Sequence, residues 1–72
     1  MTNKLSFLDV VALTEDLSDH QLRRGQVGTI VEILTDGDAF EVEFSDREGK
    51  VYASLGLRPE QLMQLHFDPS RN

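Results

Sequence analysis

The stretch from Gln26 to Gly56 admits very few folds. Asp36-Gly37 separates two apolar, β-branched runs, and an Asp-Gly pair in that setting signals a tight β-hairpin, because such turns need positive φ. Beyond it, Ala39–Ser45 alternates strictly, with Phe40, Val42 and Phe44 on one face and Glu41 and Glu43 on the other. Asp46-Arg47-Glu48-Gly49 makes a second turn. Lys50–Leu55 then alternates again, Val51, Ala53 and Leu55 against Tyr52 and Ser54, and Gly56 ends it. A three-stranded antiparallel meander is the frame that the rest of the chain has to complete.

The remaining elements are shorter. Leu8–Leu13 is apolar and β-branched and reads as the first strand. Thr14–Arg24 is polar and without periodicity, a long loop for so small a domain, with Leu17 and Leu22 as isolated anchors. Gln26–Leu34 is the second strand, and Gly28 within it marks a bulge or a sharp corner. Arg58-Pro59-Glu60-Gln61-Leu62 has the form of one helical turn, with proline where its missing N–H costs little. Met63–Leu65 suits a closing edge strand. These elements predict an all-β chain: a small SH3-like five-stranded barrel with a short helical turn before the last strand. An OB-like barrel is the alternative, but 72 residues leave little room for its loops and helix. The expected division is an N-terminal segment over 1–7, the barrel over 8–66 and a flexible tail over 67–72.

Strand register follows from the turns. With Asp36-Gly37 as the central turn residues, the pairs are Leu34/Ala39, Ile33/Phe40, Glu32/Glu41, Val31/Val42 and Ile30/Glu43. A four-residue turn at Asp46–Gly49 gives Phe44/Val51, Glu43/Tyr52, Val42/Ala53, Glu41/Ser54 and Phe40/Leu55. Both registers point Phe40, Val42 and Phe44 inward. The expected meander core is Val31, Ile33, Phe40, Val42, Phe44, Val51, Ala53 and Leu55, closed by strand one and Leu62. The opposite face then carries Ile30, Glu32, Leu34, Glu41, Glu43 and Tyr52. Aliphatic residues beside three carboxylates and a tyrosine form a candidate docking patch for a basic, partly apolar partner. Two alternatives stay open: Leu5 or Phe7 covers Ile30 and Leu34, or a register change near Gly28 turns Ile30 inward.

Composition removes several function classes. Seven basic residues against thirteen acidic ones leave a net charge of −6, which disfavours a phosphate backbone as the main partner. The absence of cysteine rules out disulfides, thiolate nucleophiles and thiolate metal sites. No run reaches the roughly 18 apolar residues of a membrane span, and no signal-peptide pattern opens the chain, so a cytoplasmic protein is expected.

The search for catalytic chemistry is negative. His20 and His66 stand far apart with no second imidazole at ligand spacing, and both read as solvated. Asp36-Gly37-Asp38 starts like a calcium loop but lacks the later acids. No nucleophile elbow or phosphate loop occurs. Glu41 and Glu43 share a face but have no cleft to separate their pKa values. Arg23-Arg24, the one basic pair, is expected to pair with Asp16 or Asp19. No enzyme activity, cofactor or metal is expected.

The block Asp9-Val10-Val11-Ala12-Leu13-Thr14-Glu15-Asp16-Leu17, then Gly25-Gln26-Val27-Gly28-Thr29-Ile30-Val31-Glu32, then Phe40–Phe44, Gly49 and Leu57-Arg58-Pro59-Glu60-Gln61-Leu62 together resemble a family of short proteins known as domain of unknown function 4926. The likeness runs from about Asp9 to Leu65. It implies an SH3-like fold and a bacterial origin, and it carries no established activity. Gly25–Glu32 alone is also similar to the KOW motif of ribosome- and transcription-associated barrels, which are typically basic where this chain is acidic. Three functions follow as expectations. The first is a protein-binding module, such as an antitoxin or immunity protein, holding a basic partner. The others are a KOW-like nucleic-acid-associated barrel and an accessory subunit that extends an enzyme's sheet from its own edge strand.

Overall fold

In a computed structural model, which describes residues 5–66, the chain folds into one antiparallel sheet of five strands. These are β1 (Val10–Leu13), β2 (Val27–Leu34), β3 (Ala39–Ser45), β4 (Val51–Leu57) and β5 (Leu62–Gln64), in the spatial order β4-β3-β2-β1-β5. The expected tail over 67–72 and the first residues of the N-terminal segment lie outside the described residues. The helical elements described are short 3-10 turns at Ser18–His20, Thr35–Gly37 (left-handed at Asp36) and Pro59–Gln61, and none is long and apolar enough to cross a membrane. The sheet is not closed into a barrel by hydrogen bonds, because β4 and β5 form its two edges. The three residues of β5 all pair with β1, as Val11↔Gln64, Ala12↔Met63 and Leu13↔Leu62. Side chains of β1, β4 and β5 nevertheless share one core cluster, so the sheet curls over its inner face.

The hairpin between β2 and β3 starts in the expected register, Leu34↔Ala39, Ile33↔Phe40 and Glu32↔Glu41. Its connection is wider than two residues: Thr35, Asp36 and Gly37 all have positive φ (49°, 54° and 98°), and the Thr35 carbonyl accepts the Asp38 N–H at 3.0 Å. Past Glu32 the ladder slips by one, to Ile30↔Val42, Thr29↔Glu43 and Gly28↔Phe44. Val31 is the extra residue of a β-bulge. Ile30 therefore shares the side of Val42 and is fully buried, which corrects its expected place on the outer face. The predicted core position of Val31 falls with it, since Val31 is only half-buried, and Ile33 is 44% exposed at the rim.

Gly28 marks a close approach. It sits between Val11 of β1 and Phe44 of β3, and a Cβ there would lie 2.7 Å from Val42 Cγ1 and 2.9 Å from the Glu43 carbonyl oxygen.

Between β3 and β4 the register differs from expectation by two residues. The Asp46 carboxylate accepts the amides of Glu48 (2.9 Å) and Lys50 (3.0 Å), so the turn widens to Asp46–Lys50, with Gly49 at φ 83°. Ser45 faces Val51, Tyr52 is passed over, and the pairs become Phe44↔Ala53, Glu43↔Ser54, Val42↔Leu55, Glu41↔Gly56 and Phe40↔Leu57. An even slip preserves faces, so Ala53 and Leu55 still pack against the core. Val51 does not, being 47% exposed, and buried Leu57 extends the strand through Gly56.

The long loop is ordered by its two leucines. Leu22 is buried in the core and Leu17 packs against it, their backbones exchanging hydrogen bonds at 2.8 and 3.1 Å. The Asp16 carboxylate accepts the backbone N–H of Arg24 at 2.8 Å, so the expected pairing of Asp16 with an arginine side chain is replaced by a turn-closing bond. At the far end, the Thr14 hydroxyl donates to the Glu60 carbonyl (2.8 Å) and Gln61 Nε2 to Glu15 (3.1 Å), which fastens the Pro59–Gln61 turn to the end of β1.

Candidate functional site

The outer face of β2, β3 and β4 is built by the alternation that fills the core. Where Phe40, Val42 and Phe44 point in, Ala39, Glu41 and Glu43 must point out. Glu32 of β2 stands directly opposite Glu41, as the sequence predicts. Carbons of two such opposed side chains lie about 5 Å apart. Glu32 is exposed, while Glu41, Glu43 and Leu34 are half-buried.

Two residues absent from the expected patch complete it. Ser54 Oγ donates to Glu41 Oε2 at 2.8 Å, which fixes one carboxylate oxygen and leaves the other turned toward Gly56. A Cβ on Gly56 would meet Leu34 Cδ1 at 3.7 Å and Glu41 Oε1 at 3.9 Å. Leu34 thus reaches from β2 across β3 to the bare backbone at Gly56, forming an apolar shelf beside the carboxylates. The shift in the second turn brings Gly56 there, so a register counted from a four-residue turn does not find it.

Two expected members are elsewhere. Ile30 lies in the core, carried inward by the bulge at Val31. Tyr52 is the residue passed over between Val51 and Ala53, so it does not oppose Glu43, whose β4 partner is Ser54. Its hydroxyl accepts a hydrogen bond from Gln26 Nε2 at 2.8 Å, and Gln26 Oε1 in turn accepts the Arg23 N–H. Tyr52 therefore braces the entry to β2, away from the carboxylates.

The expected N-terminal cover also takes a different form. Leu5 packs against the core cluster, and the Leu8 N–H donates to the Ile30 carbonyl at 2.7 Å, while Phe7 and Leu8 stay largely exposed. Among the described residues the one ion pair is Arg58–Glu60, 3.0 Å, both exposed. No described cation is therefore paired with Glu32, Glu41 or Glu43. His20 and His66 are exposed, and among the described residues no group of three or more metal-ligating side chains converges.

Residues 7–64, well over half the chain, match the model of a family described as a domain of unknown function, DUF4926. The chain belongs to this family. No match is found among curated proteins or among solved structures. The DUF4926 match takes in all five strands, so the acidic outer face and the long loop both lie within the family's domain. What the arrangement offers chemically is recognition: opposed carboxylates with fixed spacing, a hydroxyl orienting one of them, and an aliphatic shelf at their side.

Proposed function

We propose that this DUF4926 domain is a non-enzymatic protein-binding module that holds a basic partner on the outer face of β2, β3 and β4. The observation that carries the reading is the opposition of Glu32 and Glu41, with Glu43 on the same face and no described cation paired with any of them. Like charges placed directly across a ladder destabilise by up to about 1 kcal/mol. A lysine or arginine of a partner would relieve that cost while its methylene stem lay along Leu34 and Gly56. The net charge of −6 would speed encounter with a basic protein and repel nucleic acid. A basic toxin, or a larger enzyme to which this chain is an accessory, has the required chemistry.

We read the architecture as SH3-like. The order β4-β3-β2-β1-β5, the long loop after β1 and the 3-10 turn before β5 support that reading.

Affinity capture with the wild type and with Glu41→Lys/Glu43→Lys tests the site. The wild type is expected to retain basic proteins that the charge-reversed variant loses, with retention falling as salt rises. The same set of proteins on both, or retention of acidic proteins by the wild type, overturns the reading.

A further inference from the structure

The corner before β1 is built against the preferences of its own residues. Ser6–Asp9 is a four-residue turn, closed by the Asp9 N–H on the Ser6 carbonyl at 3.0 Å. Within it only Leu8 has positive φ, 71°, at the third position, where such a turn ordinarily takes glycine. Leu8 and Asp9 also stand together opposite Ile30: the Leu8 N–H donates to the Ile30 carbonyl at 2.7 Å, and the Ile30 N–H to the Asp9 carbonyl at 3.0 Å. That is the pattern of a bulge whose first residue is again ordinarily glycine. A leucine in this conformation is strained by its own Cβ. Burial does not offset the strain, since Phe7 and Leu8 are 60% and 59% exposed. A single carboxylate fastens this corner to the other end of the chain. Asp9 Oδ2 accepts the Ser6 N–H at 2.8 Å and Gln64 Nε2 at 2.9 Å. Gln64 ends β5, a three-residue edge strand paired with β1, and the next residue, Leu65, gives its N–H to the Val10 carbonyl at 2.9 Å. Leu5 and Gln64 meet a second time, as walls of one shallow cavity of about 320 Å³ with Pro59, Glu60 and Leu62.

We propose that the corner over Leu5–Leu8 and the end of β5 open and close as one unit, with the Asp9 carboxylate as the catch and the strain at Leu8 as the bias toward opening. Opening withdraws Leu5 from the cavity wall and uncovers Leu62, which is buried in the closed form. The pairing of β1 with β2, β2 with β3 and β3 with β4 is untouched by it. Coupling of this kind is reciprocal: whatever loosens the corner loosens the end of β5 by the same factor, and the reverse. The clasp is independent of the basic partner, because Glu32, Glu41 and Glu43 take no part in it.

Residue-resolved amide exchange of the whole chain in low urea is the test. In the wild type the Leu8 and Leu65 amides are expected to share one protection factor, at least about tenfold below that of Leu13, whose N–H is held by Gln26 inside the sheet. Both are expected to respond only weakly to urea, where Leu13 responds steeply, because the unit exposes little surface. Gln64→Ala leaves every bond of the turn intact and is expected to speed exchange at Leu8 and Leu65 by the same factor. Leu8→Gly relieves the strain and is expected to slow both positions about threefold. Different protection factors or urea responses at Leu8 and Leu65 in the wild type overturn the proposal. So does a Gln64→Ala variant that moves Leu65 alone, or a Leu8→Gly variant that leaves Leu65 unchanged. Should Gln64→Ala fail to fold, the wild type and Leu8→Gly decide.

Discussion

Replacing glycine by alanine in a strand usually stabilises, because the glycine chain loses more freedom on folding. The gain is about 0.4–1 kcal/mol where the new side chain fits. This domain has two β-strand glycines for which that rule gives opposite results. At Gly56 the added methyl would sit 3.7 Å from Leu34 Cδ1 and 3.9 Å from Glu41 Oε1, which is ordinary contact. Gly56→Ala is expected to stabilise by about 0.5 kcal/mol. At Gly28 the methyl would sit 2.7 Å from Val42 Cγ1, 2.9 Å from the Glu43 carbonyl oxygen and 3.0 Å from Phe44 Cδ2. Carbon atoms prefer about 3.5–4.0 Å, so the neighbours would have to withdraw by up to an ångström. One of them is backbone, and Val42 and Phe44 are fully buried. Overpacking of this kind costs about 1–3 kcal/mol, more than the entropy gain returns. For a domain of this size a loss of about 2 kcal/mol lowers the melting temperature by roughly 8–16 °C. Urea unfolding of both variants at equal, low protein concentration reads the two signs in the midpoint, with the slope m as the check on two-state behaviour. A Gly28→Ala midpoint equal to or above that of the wild type would refute the close approach of β2 to β3, and with it the packing of Phe44 over Gly28.

Two further outcomes follow from the outer face and the loop. Glu32→Gln is expected to raise stability by about 0.2–1 kcal/mol at low salt, with the gain shrinking in high salt; a gain that does not respond to salt would mean that Glu32 and Glu41 do not repel each other. Leu22→Ala is expected to cost about 2–4 kcal/mol in a denaturant titration, as for any buried core leucine, whereas a mobile, merely tolerated loop would lose almost nothing.

Strand alternation made most of the fold legible. Ala39–Ser45 was readable to the residue because the two-residue period leaves no other assignment for Phe40, Val42 and Phe44. The hairpin register was legible for the same reason, and with it the opposition of Glu32 and Glu41. Backbone irregularities were not. Ile30 and Val31 are equally good strand formers, so the residues do not say which one is skipped, and the sequence leaves the inward turn of Ile30 only as an alternative to its place on the outer face. Gly28 is a visible signal in the strand pattern, but its cause is the crowding by Val42 and Phe44, which only the assembled sheet defines. Tyr52 leaves its expected place opposite Glu43 because the Asp46 carboxylate closes a wider turn than the turn residues suggest. Gly56 comes opposite Glu41 through that same shift, whereas Ser54 stands on that face in the expected register as well.

The skipped residue at Val31 has one more consequence. Glu32 points out with Glu41, and Ile30 points in with Val42. Deleting Val31 would place Ile30 and Glu32 in succession and leave both orientations as they are, since neighbours in a regular strand alternate. What would change is the local kink and twist that a bulge adds. A chain one codon shorter at this point would keep the same buried and exposed chemistry and hold the hairpin at a different angle to the rest of the sheet. Length variation at this position would therefore steer the acidic face without rewriting it.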